Sequence, residues 1–222
     1  MYLLNDQMTI FYYKTKFKFS DAATNWILKK YEPLLSTEFI HDLDITQYST
    51  TLQIEWYHSL PGQELRTFLS LYSCDTSFYG ICVFASNMKS NFIGNPHLDT
   101  KFAAGKDSGS IKSRFNVMIL GNPNDEMVWW DSLQYNDARL VSNTFTDIAG
   151  VEYSSKSIPG NSAQERWSYL GEPTVKVSNL LRPSAFVKTD CAHTVEVSPE
   201  PRLVVTVAFD KSIEEIINNK QV

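Results

Sequence analysis

Residues 193–209 read His-Thr-Val-Glu-Val-Ser-Pro-Glu-Pro-Arg-Leu-Val-Val-Thr-Val-Ala-Phe, and the fold turns on how this stretch is read. Two runs rich in β-branched residues flank a corner, Ser198-Pro-Glu-Pro201, of turn chemistry. A hairpin across that corner sets Val197 opposite Arg202, Val195 opposite Val204 and His193 opposite Thr206. His193, Arg202 and Thr206 then share one face with the valines. An imidazole and a guanidinium on an apolar face both need partners, because a polar group buried without one is costly. A small dianion with one end at His193 and the other at Arg202 would satisfy both.

Short β-type runs recur upstream, over Ser113 to Leu120, Met127 to Trp130, Thr174 to Val177 and Phe186 to Lys188. Turn chemistry separates them at Gly121-Asn-Pro-Asn-Asp125 and Leu181-Arg-Pro183. Many short strands with polar corners are what a barrel or jelly roll requires. The stretch 142–170, rich in Ser, Asn and Gly, interrupts the series and is too long for an ordinary connection, which predicts a lid or a disordered insert. Toward the N-terminus, Phe11 to Phe19 alternates as a half-buried strand, Ser20-Asp21 caps a helix toward Leu35, and Leu52 to Trp56 reads as a second strand. Helical spacing follows over Gln63 to Leu71, then a buried strand over Tyr79 to Ala85. Ser212 with Glu215 makes a capping box for a short C-terminal helix. No internal repeat or linker stands out, so 1–222 is expected to be a single domain: flanking helices and strands over 1–90, and a β core over 91–210 with the 142–170 insert.

The chain's 222 residues are 43% hydrophobic, enough for a sizeable core. Lys plus Arg number 20 against 25 Asp plus Glu, so there is no general basic field for a phosphate backbone, and nucleic acid is not an expected partner. Met1 to Leu4 turns polar at Asn5, which does not read as a secretion signal. No apolar run approaches the ~20 residues of a membrane helix. Cys74, Cys82 and Cys191 form no CxxC pair, the pattern of free thiols in a reducing cytoplasm.

Four histidines are present, His41, His58, His97 and His193, and only His97 has an acid two places on, in Pro96-His97-Leu98-Asp99. In an extended chain the period of two aims both side chains at one point. The pair alone is a weak signal, since chance supplies about one for every two chains of this composition. With His193 it completes two imidazoles and a carboxylate, the facial set of a non-haem iron site.

At this point the chain resembles a known family. His97-Leu-Asp99, then His193, then Arg202 nine positions on is similar to the HxD…H…R pattern of the Fe(II)- and 2-oxoglutarate-dependent dioxygenases. These fold as a double-stranded β-helix, a cupin-like form of jelly roll, with flanking N-terminal helices. The resemblance covers roughly Asn91 to Asp210. It implies Fe(II) held by His97, Asp99 and His193, with 2-oxoglutarate on the metal and its far carboxylate at Arg202, assisted by Thr206. Ser113-Arg-Phe-Asn-Val-Met-Ile-Leu120 further resembles a strand of the amino-acid and aspartyl hydroxylases, which implies that Arg114 and Asn116 face the co-substrate. Asn116 and Met118 stand where that branch often has histidine and proline. The implied activity is hydroxylation of a C–H bond in an amino acid, a protein side chain or a small metabolite.

Two other classes stay open: a non-catalytic jelly-roll binding or structural module, and a cupin-like metal enzyme that does not use 2-oxoglutarate. Trp129-Trp130-Asp131 reads as structural, one indole facing the core and the other covering a surface patch. His41, among acids, reads as solvated, and His58 as packed at a turn. No GxGxxG, phosphate-binding loop or nucleophile elbow occurs.

Overall fold

The computed structural model describes residues 10–35, 43–45, 55–72, 74, 81–87, 92–99, 111–134, 137–146, 152–179 and 182–220. The first half holds β1 (Tyr12–Thr15), α1 (Asp21–Leu35), β2 (Leu43–Ile45), α2 (Leu60–Ser70), β3 (Ile81–Asn87), β4 (Phe92–Ile93) and β5 (Ser113–Leu120). The second holds β6 (Glu126–Gln134), β7 (Val141–Thr146), β8 (Glu152–Ser157), α3 (Ala163–Leu170), β9 (Val175–Ser178), β10 (Ser184–Lys188), β11 (Cys191–Val197), β12 (Pro201–Phe209) and α4 (Ile213–Asn218). The chain is mostly β, with antiparallel sheets and few helices. None of the described helices is long and apolar enough to cross a membrane.

Two sheets dominate. One orders its six strands β1-β10-β5-β12-β3-β2, the other its four β4-β11-β6-β9, and β7 with β8 forms a separate ribbon. From β3 to β12 the chain changes sheet at each connection within these two sheets except that from β6 to β9. Strand parity then sorts the side chains into layers. Phe115, Val117, Phe186, Leu203, Val205 and Val207 face outward, under a cover of Ile27 from α1, Leu65 and Leu69 from α2 and Ile213 and Ile216 from α4. Between the sheets, Ala185, Val187 and Val204 meet Met127, Trp129 and Cys191. On the far side of the smaller sheet, Val128, Trp130 and Ala192 pack with Leu98, Ile158 and Trp167.

Local chemistry explains the helix ends. The Ser20 hydroxyl accepts from the Ala23 N–H at 3.2 Å, and Ser20 donates to Glu64 of α2, which ties the starts of the two helices. The reciprocal capping box of Ser212 and Glu215 opens α4 as its spacing predicts.

Three expectations are corrected. The 193–209 stretch is not a hairpin: β11 pairs with β4 and β6, whereas β12 pairs with β3 and β5. Each strand has both edges filled by others, so Ser198 to Glu200 is a corner that carries the chain between sheets. The 142–170 stretch is not structureless, because β7, β8 and α3 lie along it. Ile158 and Trp167 anchor it, with the Trp167 ring edge-on to Trp130 at 4.7 Å. Residues 55–58 are helical rather than the end of a strand, and the Trp56 indole donates to the Tyr31 hydroxyl at 2.7 Å inside the helix layer; 52–54 lie outside the described residues.

The tryptophan pair divides as the alternation demands, Trp129 between the sheets and Trp130 on the opposite face, yet both are fully covered. Cys74 and Cys191 are free and buried, and burial pushes their thiols up to about 11 and about 12. The Cys82 side chain and His41 lie outside the described set. His58 is exposed and stands edge-on to Tyr57, away from any cluster of ligands.

Candidate metal centre

The segment carrying His97 continues the line of β4 along the edge of β11. The Gly94 N–H donates to the Val195 carbonyl at 3.0 Å, and a Cβ at Gly94 would lie 2.5 Å from the Thr194 hydroxyl, so the close approach requires glycine. His97 and His193 then exchange both backbone hydrogen bonds, at 3.0 and 2.9 Å. Three residues of chain lead from Gly94 to His97, but only two separate their partners Val195 and His193. The extra residue makes a bulge at Asn95-Pro96, a device that re-aims a side chain. A second irregularity, between Cys191 and Ala192 in the β11–β6 register, lies on the other side of His193.

Both imidazoles are oriented by a carbonyl two residues earlier in their own segment. The Nδ1 of His97 is 2.8 Å from the Asn95 oxygen, and that of His193 is 3.0 Å from the Cys191 oxygen. With Nδ1–H donated to each carbonyl, the Nε2 lone pairs stay available, as in histidines that ligate metals. The ring centroids are 4.6 Å apart.

Leu98 points the opposite way into the core beyond the smaller sheet, so the period of two brings Asp99 round to the histidine side as the spacing predicts. The Asp99 N–H is tied to the Thr189 carbonyl at 3.1 Å, and its carboxylate accepts from Arg114 Nε. One ligand atom each from His97, Asp99 and His193 lies within 4.8 Å of the others. Among the described residues no other such group of three His, Cys, Asp or Glu converges.

Exposure differs sharply within the trio. The His97 side chain is 52% exposed, while Asp99 and His193 are 7% and 5% exposed as residues. The approach from solvent is therefore on the His97 side. Burial alone would raise the Asp99 carboxyl, but Arg114 first, then His193 and His97, outweigh it and hold it at about 2. Burial, and then the neighbouring His97, lowers His193 to about 4, so its ring is neutral near pH 7. A buried carboxylate and two oriented imidazoles suit a divalent first-row metal ion.

The remaining sequence candidates face the space between the sheets but divide into separate places. Asn116 and Thr206 are Cα partners across β5 and β12, both buried, and neither the Asn116 Oδ1 nor the Thr206 hydroxyl has a hydrogen-bond partner among the described residues. Arg114 faces Asp99 rather than only an open co-substrate site. Arg202 lies next to Asp125, Nε to Oδ2 at 3.8 Å, on the corner side of Val204 and Met118. Glu196, further back on β11, pairs with Lys176 at 3.0 Å. In the sequence Asp125 shows only as a turn residue; its second oxygen accepts from the Ser198 N–H at 2.8 Å and braces the corner that begins β12.

No protein-family model matches the chain, and no curated protein sequence matches it. Among solved structures, the chain has a likeness to L-ribose isomerase of Acinetobacter sp. DL28 in complex with L-ribose. That likeness has a TM-score of 0.30 and 12% identity, over 86% of this chain and 81% of that one.

Proposed function

We propose that the chain is an Fe(II)- and 2-oxoglutarate-dependent oxygenase that hydroxylates a C–H bond of an amino acid, a protein side chain or a small metabolite. The observation that carries this reading is the trio itself: two imidazoles with Nε2 available and one buried carboxylate, set on adjoining segments at the mouth of a two-sheet interior. The alternation of strands between the sheets supports a double-stranded β-helix within one domain, 1–222. Iron(II) held by His97, Asp99 and His193 would supply dioxygen activation, with 2-oxoglutarate as the electron donor that leaves as succinate and carbon dioxide.

The chain's own residues provide orientation and dryness. The Asn95 and Cys191 carbonyls fix the two rings, and Leu98, Ala192 and Trp130 pin the segment behind them. Arg114, Asn116, Thr206 and Arg202 give the inner face of the larger sheet its polar groups, and these are the residues assigned to the co-substrate, Arg114 being shared with Asp99. Trp129, Met127 and Val204 exclude water between the sheets. The exposed flank at His97 is the entry for substrate.

One observation favours a second reading, a cupin-like metal enzyme that does not use 2-oxoglutarate: Asp125 already gives the Arg202 guanidinium a carboxylate from the chain itself. Anaerobic titration with Fe(II) and then 2-oxoglutarate separates the two. A weak visible metal-to-ligand band requires both at one iron and supports the oxygenase. Iron binding with no such band, at saturating 2-oxoglutarate, selects the second reading.

A further inference from the structure

We infer that Arg114 is a positioning residue of the metal centre: it engages one oxygen of Asp99 so that the other alone is offered to a divalent cation. The inference rests on the reading of His97, Asp99 and His193 as metal ligands. Arg114 Nε donates to Asp99 Oδ2, while Oδ1 turns toward His97, 3.8 Å from its Nε2. The carboxylate is thereby divided, one oxygen for the protein and one for the ion. The backbone of Asp99 is fixed by Thr189, and Arg114 adds a fixed point at the end of its side chain.

The placement crosses the fold. Arg114 rises from β5 in the larger sheet, opposite Val187 and Ala208, whereas His193 belongs to the smaller sheet and His97 pairs with it. The side chains of Arg114 and Asp99 are 12% and 8% exposed, so the contact is made where water competes little. An Arg114–Asp99 pair thus fixes the carboxylate ligand from the opposite sheet and sets its distance from the two rings. The role is one that local sequence hides, because fourteen intervening positions separate the two residues.

Charge and geometry make opposite demands here, which makes the inference testable. A guanidinium beside a metal ligand repels a dication, so if charge were its whole effect, deleting it would tighten metal binding. If it positions Asp99, deleting it weakens binding, by about 10- to 100-fold for an outer partner of a ligand. The experiment measures Co(II) affinity and the Co(II) visible spectrum of the whole chain and of Arg114→Met, Arg114→Lys and His193→Ala, with thermal melting of each. Weaker binding in Arg114→Met, partial recovery in Arg114→Lys and an altered ligand-field band in both are expected, because an ammonium keeps the charge and loses the fixed direction of the guanidinium N–H. Unchanged or tighter Co(II) binding in Arg114→Met overturns the inference. If Arg114→Met does not fold, Arg114→Lys decides: wild-type affinity and spectrum overturn the inference, weaker binding supports it. Loss of Co(II) in His193→Ala with no change in the Arg114 variants discards the positioning role and leaves the metal site standing. Wild-type affinity in His193→Ala discards the metal reading itself.

Discussion

Strands β5 and β12 present two faces built to different rules. Outward, Phe115, Val117, Leu203, Val205 and Val207 meet the helix layer, each at 2% exposure or less, with no polar atom to satisfy. Inward, one residue along, stand the polar Asn116, Arg202 and Thr206, also buried, and the half-buried Arg114. An outward position contributes through apolar area and close packing. An inward one carries a desolvation cost that only a partner can offset. The Arg114 contact with Asp99 is such a partner, whereas the Asn116 and Thr206 oxygens have none among the described residues. A fold retains groups of this kind where a ligand, an ion or water completes them. On the proposed function, stability and chemistry are separable by parity along the same two strands.

The largest expected effect breaks the chemical side alone. His193→Ala removes one of the three proposed metal ligands, so Fe(II) or Co(II) binding measured by calorimetry should be lost. The outward face is untouched, and the melting temperature of the metal-free chain should change little. A variant that unfolds instead would show the trio to be structural.

Phe115→Ala should do the reverse. Phe115 is fully buried among Phe17, Phe68 and Phe186, at centroid distances of 5.9, 5.2 and 4.7 Å. Removing its ring should cost ~3–5 kcal/mol. At ~2–4 °C per kcal/mol for a chain of this size, melting should fall by about 10 °C. Metal affinity of the folded fraction should stay within about twofold of wild type. A large loss of affinity would mean that the two faces are coupled through β5.

Arg202 tests where the division lies, because it has a partner and a proposed ligand. Arg202→Met keeps most of the volume and should weaken 2-oxoglutarate binding by about 30-fold, roughly 2 kcal/mol, while metal binding holds. Asp125→Asn is the companion, since it leaves an acceptor for the Ser198 N–H and removes the negative charge beside the guanidinium. If both variants lower the melting temperature and neither changes 2-oxoglutarate affinity, Arg202 belongs to Asp125 and the co-substrate assignment falls.

What could be read from the sequence follows the range of each interaction. Strand β5 occupies Ser113 to Leu120 as its pattern predicts, the Ser212–Glu215 box opens α4, and His97 and Asp99 share a face because their geometry is local. Across the Ser198–Pro201 corner, a hairpin and a change of sheet have the same local chemistry. Only the strands that fill the edges of β11 and β12 decide between them, and those lie up to about 120 positions away. The inward facing of His193, Arg202 and Thr206 survives that correction, because β11 turns Cys191, His193 and Val195 to the interior and β12 turns Arg202, Val204 and Thr206 there. The ribbon of β7 and β8 has no local signal, because Val-Ser-Asn-Thr-Phe-Thr and Glu-Tyr-Ser-Ser-Lys-Ser have little apolar alternation. The Arg114–Asp99 and Arg202–Asp125 contacts join elements that nothing in local patterning relates.

The smallest effect sharpens the comparison most, because its sign is unusual. Thr206 is fully buried on the inner face of β12, and its hydroxyl has no hydrogen-bond partner among the described residues. A buried unsatisfied hydroxyl costs ~1–3 kcal/mol, and valine has nearly the same shape without the obligation. Thr206→Val should therefore raise the stability of the ligand-free chain by about 1 kcal/mol, seen as a rise of ~2–4 °C in melting. The same substitution at an outward position, where the threonine could reach water, would gain little. If the hydroxyl serves 2-oxoglutarate, the gain is offset in the ligand-bound state, and the stabilisation by saturating 2-oxoglutarate should be smaller in the variant than in the wild type. A variant that is more stable yet equally stabilised by 2-oxoglutarate would assign Thr206 to no ligand. One that is less stable without ligand would mean that ordered water already completes the hydroxyl.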